Sequence, residues 1–428
     1  MIDTSIRKVS SKLPARIRCI SAVFIVLGIA QLPALHAQDL GEWEIFGSLQ
    51  SFIFHQESEA EYETNEMGIA HFAKSTLSNS EERATFAMQQ MDIFINKPIN
   101  DQFNAFIDLE FQVNYNSDQN WGAFSVQEAW LNYAHSTAFN VKFGLQYPPF
   151  NHLNEIKNRL AILPYLFRPM VYERLLVSRF YNEDYIPEQA FLQVYGALPL
   201  GDALYFDWAA YMGNAEGSYL SKSEGREIYN ITDEDFEFLG GTDPTDFKRK
   251  LYGGRIGVRS VDEHFKAGVS FTHDYNDIRD TTKIPFDFFI RSRDKQSLLG
   301  EAPRVRLGGD LLYRYGKLYF EGEYIKVLPY DYPPADKVGF NYELDFFSLA
   351  LFYDLFEDLT IYSSYSRSRH TFVDNHEFRV YNTGISYRVN NTISLKTQWL
   401  TYEEESTPWF GKEETTIYFT FVGCSVLL

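Results

Sequence analysis

The amino-acid sequence predicts an all-β protein, a single transmembrane antiparallel β-barrel of about sixteen strands with short periplasmic turns and long external loops. Three observations predict this fold. Aromatic residues make up 17% of the 428 residues, apolar and polar residues alternate along many segments, and the connections between those segments are alternately short and long. Charged residues make up 23% of the chain, which excludes wholesale disorder. No apolar stretch of about 18 residues follows residue 37, which argues against transmembrane helices.

The N-terminus predicts a secretory signal peptide over residues 1–37, followed by the barrel over residues 38–428. A basic region precedes an apolar run from Ile20 to Ala30, and Ala37 supplies a small residue for cleavage. A membrane anchor is the alternative, but an anchor needs about 20 apolar residues and Gln31 ends this run early. Loss of the basic leader makes the exported chain more acidic than the net charge of −19 for the whole sequence. Such an acidic protein is a poor partner for nucleic acid.

The alternation with a period of two residues is clearest from Phe103 to Tyr115. Odd-numbered positions there are apolar or aromatic, whereas the even-numbered positions include Asp108 and Glu110. This length suits a tilted strand that crosses a bilayer. Similar patterns predict sixteen strands, at 42–55, 85–96, 103–115, 124–134, 139–146, 189–198, 203–213, 250–260, 265–275, 304–315, 317–327, 342–355, 358–368, 378–389, 393–402 and 415–422.

The connections between the predicted strands alternate in length. The short ones, such as 261–264 and 390–392, contain turn-forming residues. The long ones are polar and mostly acidic. This asymmetry is typical of barrels in the bacterial outer membrane, and a soluble propeller or sandwich does not predict it. The long connections lie near 56–84, 116–123, 147–188, 214–249, 276–303, 328–341, 369–377 and 403–414.

Charges that recur on one face of the predicted strands indicate a lumen that faces water, because the hydrocarbon region cannot solvate them. In the tenth predicted strand, Arg304 and Arg306 alternate with Val305 and Leu307. The alternative is local neutralisation, in which Arg306 pairs with Glu321 or Glu323 in the next strand. The candidate wall residues are Lys142, Arg255, Arg304, Arg306, Arg314, Asp108, Glu110, Asp207, Glu321 and Glu323.

The connection 147–188 combines arginines with many apolar side chains, which a purely external loop does not need. We therefore expect it to fold into the lumen and to narrow the pore, so that its arginines meet permeating anions. The alternative is that it covers a subunit interface or the rim of the barrel. Its candidate constriction residues are Arg159, Arg168, Arg174 and Arg179.

Motifs for catalysis and metal binding are absent from the sequence. It contains neither a Gly-x-Ser-x-Gly nor a His-Glu-x-x-His pattern, and its two cysteines exclude a cysteine-based zinc site. We predict no cofactor, no metal and no enzymatic activity. An outer-membrane hydrolase is the least favoured alternative.

Residues 127–133 and 139–150 resemble the phosphate-selective porin O/P family. In both, a strand containing aromatic residues leads through a turn to a Gly-x-Gln-x-x-Pro-Phe type of stretch, here from Gly144 to Phe150. Glu173-Arg174 late in the following loop is also similar in kind. The resemblance implies a sixteen-stranded trimeric outer-membrane porin with an inward-folded loop, and it implies small anions such as phosphate as solutes.

The sequence as a whole therefore predicts a porin in the outer membrane, through which small hydrophilic solutes diffuse passively. The lipid bilayer and those solutes are its predicted partners. A structural or adhesive barrel with a plugged lumen is the alternative, and it predicts no conductance.

Overall fold

The structure is a computed structural model that describes residues 43–64, 83–111, 124–173, 185–214, 250–277, 301–328, 343–371, 375–407 and 411–428. The predicted signal peptide and most of the predicted external loops lie outside these residues. Arg174 and Arg179 of the predicted constriction also lie outside them.

Sixteen antiparallel strands form a closed barrel, in which each strand pairs with its neighbours in sequence and the first pairs with the last. The strands are β1 (Glu44–Thr64), β2 (Arg83–Pro98), β3 (Phe103–Phe111), β4 (Phe124–Ser136), β5 (Phe139–Gln146), β6 (Ala190–Leu200), β7 (Leu204–Asn214), β8 (Lys250–Ser260), β9 (Phe265–Asp277), β10 (Glu301–Tyr315), β11 (Leu318–Leu328), β12 (Glu343–Phe356), β13 (Leu359–Thr371), β14 (Asn375–Arg388), β15 (Ile393–Thr407) and β16 (Gly411–Leu427).

Helical structure in the described residues is limited to short turns between β5 and β6. They are α1 (Asn151–Ile156) and two 3-10 turns at Leu160–Ile162 and Met170–Tyr172. Within the described ranges, no helix has the length and the apolar composition needed to cross a membrane.

The predicted fold and strand number are confirmed, but several strands are longer than predicted: β1 runs to Thr64 instead of residue 55, and β16 is extended at both ends. The sequence predicts its end near residue 422, whereas β16 continues to Leu427. Gly423 and Ser425 interrupt the apolar alternation, but they keep the register with β1. Leu428 then exchanges two backbone hydrogen bonds with Gly47, of 3.1 and 2.8 Å. The C-terminus therefore closes the barrel.

The two faces of the wall differ as predicted on β10. Leu307 and Leu311 are exposed on the outward face, whereas Arg306 and Asp310 are buried on the inward face. The inward face is mixed from β11 to β16: Glu323 and Gln398 are polar as expected, whereas inward side chains such as Ile325 and Phe421 are apolar and buried. These side chains face an apolar part of the chain inside the barrel instead of water.

Gly144 gives a test of how tightly β5 pairs with β4. Its φ is +122°, and a Cβ there would overlap the backbone of Ala129 and Trp130. We expect Gly144→Ala to lower the free energy of unfolding by roughly 3 kcal/mol, because an alanine is strained at this φ. The measurement is urea unfolding of the refolded protein in lipid vesicles.

The matched control is Gly309→Ala on β10, where an added Cβ would come no closer than 3.9 Å to the carbonyl oxygen of Gly268. That variant should unfold within about 0.5 kcal/mol of the unaltered protein. Equal losses in the two variants would contradict the strain at Gly144.

Candidate functional site in the barrel lumen

The described residues between β5 and β6 lie inside the barrel. Residues 147–173 and 185–189, called the lumen segment below, contact the inward side chains of strands around the wall. Phe150, Leu166 and Val171 in this segment have exposed fractions of 0 to 1%. At the start of the segment, Asn151 fits against Gly308 of β10, where any Cβ would overlap its side chain.

Polar side chains of the wall hold the segment by backbone N–H groups near its start and by a tyrosine hydroxyl. The Asn151 N–H donates to Ser270 Oγ at 3.0 Å, and the Leu153 N–H donates to Glu323 Oε1 at 2.8 Å. The Tyr172 hydroxyl donates to the other oxygen of Glu323 at 2.6 Å, and burial raises the pKa of Tyr172 well above its usual value. Glu323 is therefore a buried acceptor that positions the segment on β11.

Gln398 of β15 holds the middle of the segment. Its Oε1 accepts the backbone N–H groups of Leu166 at 2.7 Å and Phe167 at 2.9 Å, and its Nε2 donates to the Phe167 carbonyl at 3.3 Å. The hydroxyl of Tyr362 donates to the same Oε1 at 2.8 Å. Gln398 is fully buried, so this amide substitutes for a neighbouring strand in satisfying the segment's backbone.

An apolar core joins the segment to one half of the wall. Phe150, Leu166 and Val171 pack in one cluster with Phe346 and Phe421 of the wall. The wall members of this cluster come from β1, β2, β11, β12, β14, β15 and β16. That half of the lumen is therefore packed like a protein interior.

The arginines of the segment differ in their surroundings. Arg159 is exposed. Arg168 is 5% exposed, donates to the Lys157 carbonyl at 2.5 Å and lies 3.6 Å from Glu173 Oε2. Arg168 therefore stabilises the segment itself, and its guanidinium is covered.

Ion pairs between strands of the wall, either adjacent or separated by one strand, neutralise three of its arginines. Arg304 Nη2 lies 2.6 Å from Asp274 Oδ2 on β9, and Arg306 Nη1 lies 3.4 Å from Oδ1 of the same carboxylate. Arg255 Nη2 lies 2.6 Å from Asp310 Oδ1. The charge of Arg306 is therefore neutralised locally, as one of the two interpretations of the sequence predicts. The partner, however, is Asp274 and not Glu321 or Glu323.

Sequence reasoning missed the role of Asp274. The residue lies on the inward parity of β9, directly opposite Arg304 in the register. The signal was available in the alternation of 265–275, but the pairing of β9 with β10 was needed to see it.

A group of carboxylates lies on the inward face of β2 and β3. Asp92, Asp108 and Glu110 on β2 and β3 are buried and face inward. Asp92 accepts hydrogen bonds from Gln90 Nε2 at 2.9 and 3.0 Å, and Asn158 of the segment donates to Glu110 at 3.4 Å. These contacts join the acidic wall to the segment.

A cavity of about 560 Å³ lies between the segment and strands β4 to β9, and cations line it. Arg255, Arg259 and Lys266 contribute to its lining. Arg259 Nε lies 3.1 Å from Asp207 Oδ1, and Lys266 Nζ lies 3.9 Å from Glu155 Oε2.

Lys142 of β5 has aromatic neighbours. Its ammonium lies 4.4 Å from the ring centre of Trp130 and 5.8 Å from that of Tyr195. Tyr195 also lines the cavity of 560 Å³. The cation–π contacts keep the charge of Lys142 beside this cavity.

A second cavity, of about 700 Å³, lies near the turns of β10 to β15. Arg314 lines it, with its guanidinium 5.5 Å from the ring centre of Tyr319. Tyr319 in turn donates to Glu321 at 3.2 Å. In the described part of the chain, no three His, Cys, Asp or Glu side chains are grouped to hold a metal ion.

No protein-family model and no curated protein matches the chain. Solved structures do resemble it. A loop-deletion mutant of OmpT, an outer membrane protein of Vibrio cholerae, is 11% identical, with a TM-score of 0.50 over 91% of this chain and 100% of that one. The outer membrane channel DcaP of Acinetobacter baumannii is 10% identical, with a TM-score of 0.49 over 89% and 97% of the two chains. Salmonella typhi OmpF in complex with daunomycin is 11% identical, with a TM-score of 0.44 over 91% and 98%.

At such low identity the likeness to OmpT shows the fold alone. That fold is a closed barrel whose outward face is rich in exposed apolar side chains. The protein is a transmembrane β-barrel of the bacterial outer membrane.

Replacing Gln398 tests its hold on the lumen segment. Gln398→Leu leaves the buried N–H groups of Leu166 and Phe167 without their acceptor, so we expect a loss of about 3 kcal/mol in unfolding free energy. Urea unfolding in vesicles measures it. Thr401→Val, on the outward face of the same strand, is the control and should change this free energy by less than about 0.5 kcal/mol. A Gln398 variant as stable as the control would contradict the anchoring role.

His152 in α1 predicts a pH dependence of stability. Burial, together with the nearby Lys266 ammonium, lowers the pKa of His152 from 6.5 to about 3, and Lys266 Nζ lies 2.9 Å from its Nδ1. Between pH 6.5 and 3 the unfolded chain binds a proton at this histidine that the folded chain does not. Stability therefore falls as the pH falls through this window.

His152→Gln removes that proton uptake and should make the loss of stability between pH 6 and pH 4 smaller than in the unaltered protein. The measurement is the denaturation midpoint at both pH values. His135→Gln, at an exposed position, should leave the pH dependence as it is. Identical slopes for His152→Gln and the unaltered protein would contradict the prediction.

Proposed function

We propose that the protein is a porin for the passive diffusion of small hydrophilic solutes, with the lumen segment as its constriction. The observation that carries this proposal is that the inner wall of the barrel has an apolar half and a charged half. The segment packs on the apolar half of the wall, and the charged side chains of β2 to β10 lie on the other half. A solute path along the polar half follows from this division.

We propose further that small anions, phosphate among them, are the preferred solutes. Arg304, Arg306 and Arg255 are matched by wall carboxylates. Lys142 instead rests on aromatic rings, and the ion pair of Lys266 is long, at 3.9 Å. These two lysines, with the exposed Arg159, are the cations that support anion attraction. Arg174 and Arg179 belong to the same proposal from their sequence position.

The resemblance to phosphate-selective porins supports this solute class and supports a homotrimer. It also fits export by a signal peptide over residues 1–37. The solute class, the homotrimer and the signal peptide are all part of the proposal. Diffusion through a barrel requires no catalytic group, so we propose no enzymatic activity.

A second candidate function is a structural barrel with a closed lumen. The deep burial of inward charges such as Arg306 and Asp274, both at 0% side-chain exposure, favours it. Conductance distinguishes the two functions, because a closed barrel that has folded passes no current.

The experiment is single-channel recording of the refolded protein in a planar bilayer under a KCl gradient. We expect stepwise conductance with a reversal potential on the chloride side. The double variant Lys142→Gln/Lys266→Gln should lower the chloride-to-potassium permeability ratio by at least about twofold, because it removes one cation that lines the cavity and one that contacts Tyr195 of its lining.

The control is Lys250→Gln/Lys326→Gln, which removes two basic residues from the outward face of β8 and β11. Its permeability ratio should equal that of the unaltered protein. A silent, folded barrel would overturn the porin proposal. An unchanged ratio in Lys142→Gln/Lys266→Gln would overturn the role of these lysines in selectivity.

A further inference from the structure

Two basic side chains face each other on the inner wall beside the cavity of 560 Å³. Arg259 of β8 lies directly opposite Lys266 of β9 in the register, and both line the cavity. Like charges directly opposite each other destabilise a sheet, so this pair needs negative charge nearby. Two carboxylates of the cavity lining supply it, Asp207 of β7 and Glu155 of α1.

Arg255, on the same face of β8 as Arg259, is an example of a closed ion pair in this wall. Its Nε and Nη2 donate to the two oxygens of Asp310 at 3.1 and 2.6 Å, and the two side chains are 7 and 1% exposed. Gly268 of β9 leaves room for this pair, because a Cβ there would overlap the guanidinium group. The charge of Arg255 is therefore matched within the wall, and its donors are not accessible to a solute.

The ion pair of Arg259 is open by comparison. Its Nε donates to Asp207 Oδ1 at 3.1 Å, and the second oxygen of Asp207 takes no part in this hydrogen bond. Nη1 of Arg259 lies 3.9 Å from Glu263 of the following turn, which is too far for a hydrogen bond. The side chains of Arg259 and Asp207 are 33 and 22% exposed, so a solute in the cavity can reach both charges.

The ion pair of Lys266 is looser still. Its Nζ lies 3.9 Å from Glu155 Oε2, beyond the distance of a hydrogen bond, and the two side chains are 23 and 40% exposed. Lys266 Nζ instead forms a hydrogen bond of 2.9 Å with His152 Nδ1. Each of the two opposed cations thus lies within 4 Å of a carboxylate that it does not fully occupy.

The charges around the cavity are balanced in number. The lining and the partner of Arg255 together contribute three cations and three carboxylates, namely Arg255, Arg259, Lys266, Glu155, Asp207 and Asp310. Glu263 on the turn and Lys142 beside Tyr195 add one charge of each sign outside the lining. A neutral site in which both signs are accessible favours a solute that is itself neutral overall and carries both charges.

We propose that this cavity binds a small zwitterion of the amino-acid type. The solute carboxylate lies between Arg259 and Lys266, and the solute ammonium contacts Asp207 or Glu155. One carbon atom separates the two charged groups of an α-amino acid, which suits cations and carboxylates of the site that lie within 4 Å of each other. A solute with a single charge would make only half of these contacts.

The size of the cavity is suitable for such a solute. Its volume of about 560 Å³ lies within the range of small-molecule sites, about 300–1,000 Å³. Small or polar side chains, such as Ala197, Ala209 and Asn140, complete the lining and leave room for the side chain of an amino acid. The passage of this solute through the lumen rests on the porin proposal, whereas its binding does not.

The test is a ligand-observed NMR titration of the refolded protein in detergent with three probes. Alanine carries both charges, propionate carries the carboxylate alone, and ethylamine carries the ammonium alone. We expect alanine to bind at least about threefold more tightly than either of the other two, because it forms ion pairs with both signs of the site and each partly exposed pair contributes modestly.

The double variant Glu155→Gln/Asp207→Asn separates a zwitterion site from a simple anion site. It should weaken alanine binding by at least about threefold, because the ammonium loses its partners. It should also tighten propionate binding, because Arg259 and Lys266 then lack their carboxylates. Lys266→Gln should weaken the binding of alanine and propionate but not that of ethylamine.

Glu357→Gln/Asp358→Asn is the matched control, because it removes two exposed carboxylates from the turn between β12 and β13, outside this cavity. It should bind alanine within about twofold of the unaltered protein. Resistance of each folded variant to unfolding by detergent on unheated gels confirms that the barrel is intact.

Propionate binding as tight as that of alanine would show a simple anion site, and equally tight ethylamine binding would show a simple cation site. Either result would overturn the proposal, and so would a folded barrel that binds no alanine or an equal loss in the control. Because binding is measured without current, a conducting barrel that binds no alanine contradicts this site alone. A silent barrel that binds alanine contradicts the porin proposal alone.

Discussion

The pairing of every backbone N–H and C=O group in the wall is the constraint on which the rest of the structure depends. The hydrocarbon region offers no water to satisfy an open strand edge, so the sheet must close. The closure here is the pairing of β1 with β16, with Leu428 bonded to Gly47 at one end of the seam. Once the sheet is closed, alternate residues of each strand face lipid or the lumen. The contacts of the lumen and of the outer surface both depend on this division.

The lumen segment meets the same constraint inside the barrel. Its backbone has no strand beside it, and the wall supplies side-chain acceptors in place of one. Gln398 accepts two consecutive backbone N–H groups, and Glu323 accepts a third together with the Tyr172 hydroxyl. The apolar cluster around Phe167 then fixes the segment against one half of the wall. The segment is thus part of the folded core, and its position sets the width of any path past it.

Whether a charged side chain inside the barrel contributes a net charge depends on how deeply it is buried, because the buried arginines are paired with carboxylates. A buried guanidinium is tolerated only with a partner, and Arg304 and Arg306 obtain one by sharing Asp274 across β9 and β10. Arg168 is likewise matched by Glu173. These arginines therefore give little net field, whereas Lys142 rests on aromatic rings.

The sequence by itself determined the barrel, its strand number and the parity of strands such as β10, because alternation with a period of two is a local property of the chain. It also singled out connection 147–188 from its mixture of arginine and apolar residues. Only the tertiary structure decided which inward faces are apolar, because Ile325 and Phe421 are indistinguishable by pattern from residues that face lipid until the lumen segment packs on them. Only the register revealed that Asp274 neutralises Arg304 and Arg306 and that Arg259 lies opposite Lys266. Pairing between strands joins residues that are distant in sequence, and no periodicity within one strand encodes its offset from the next.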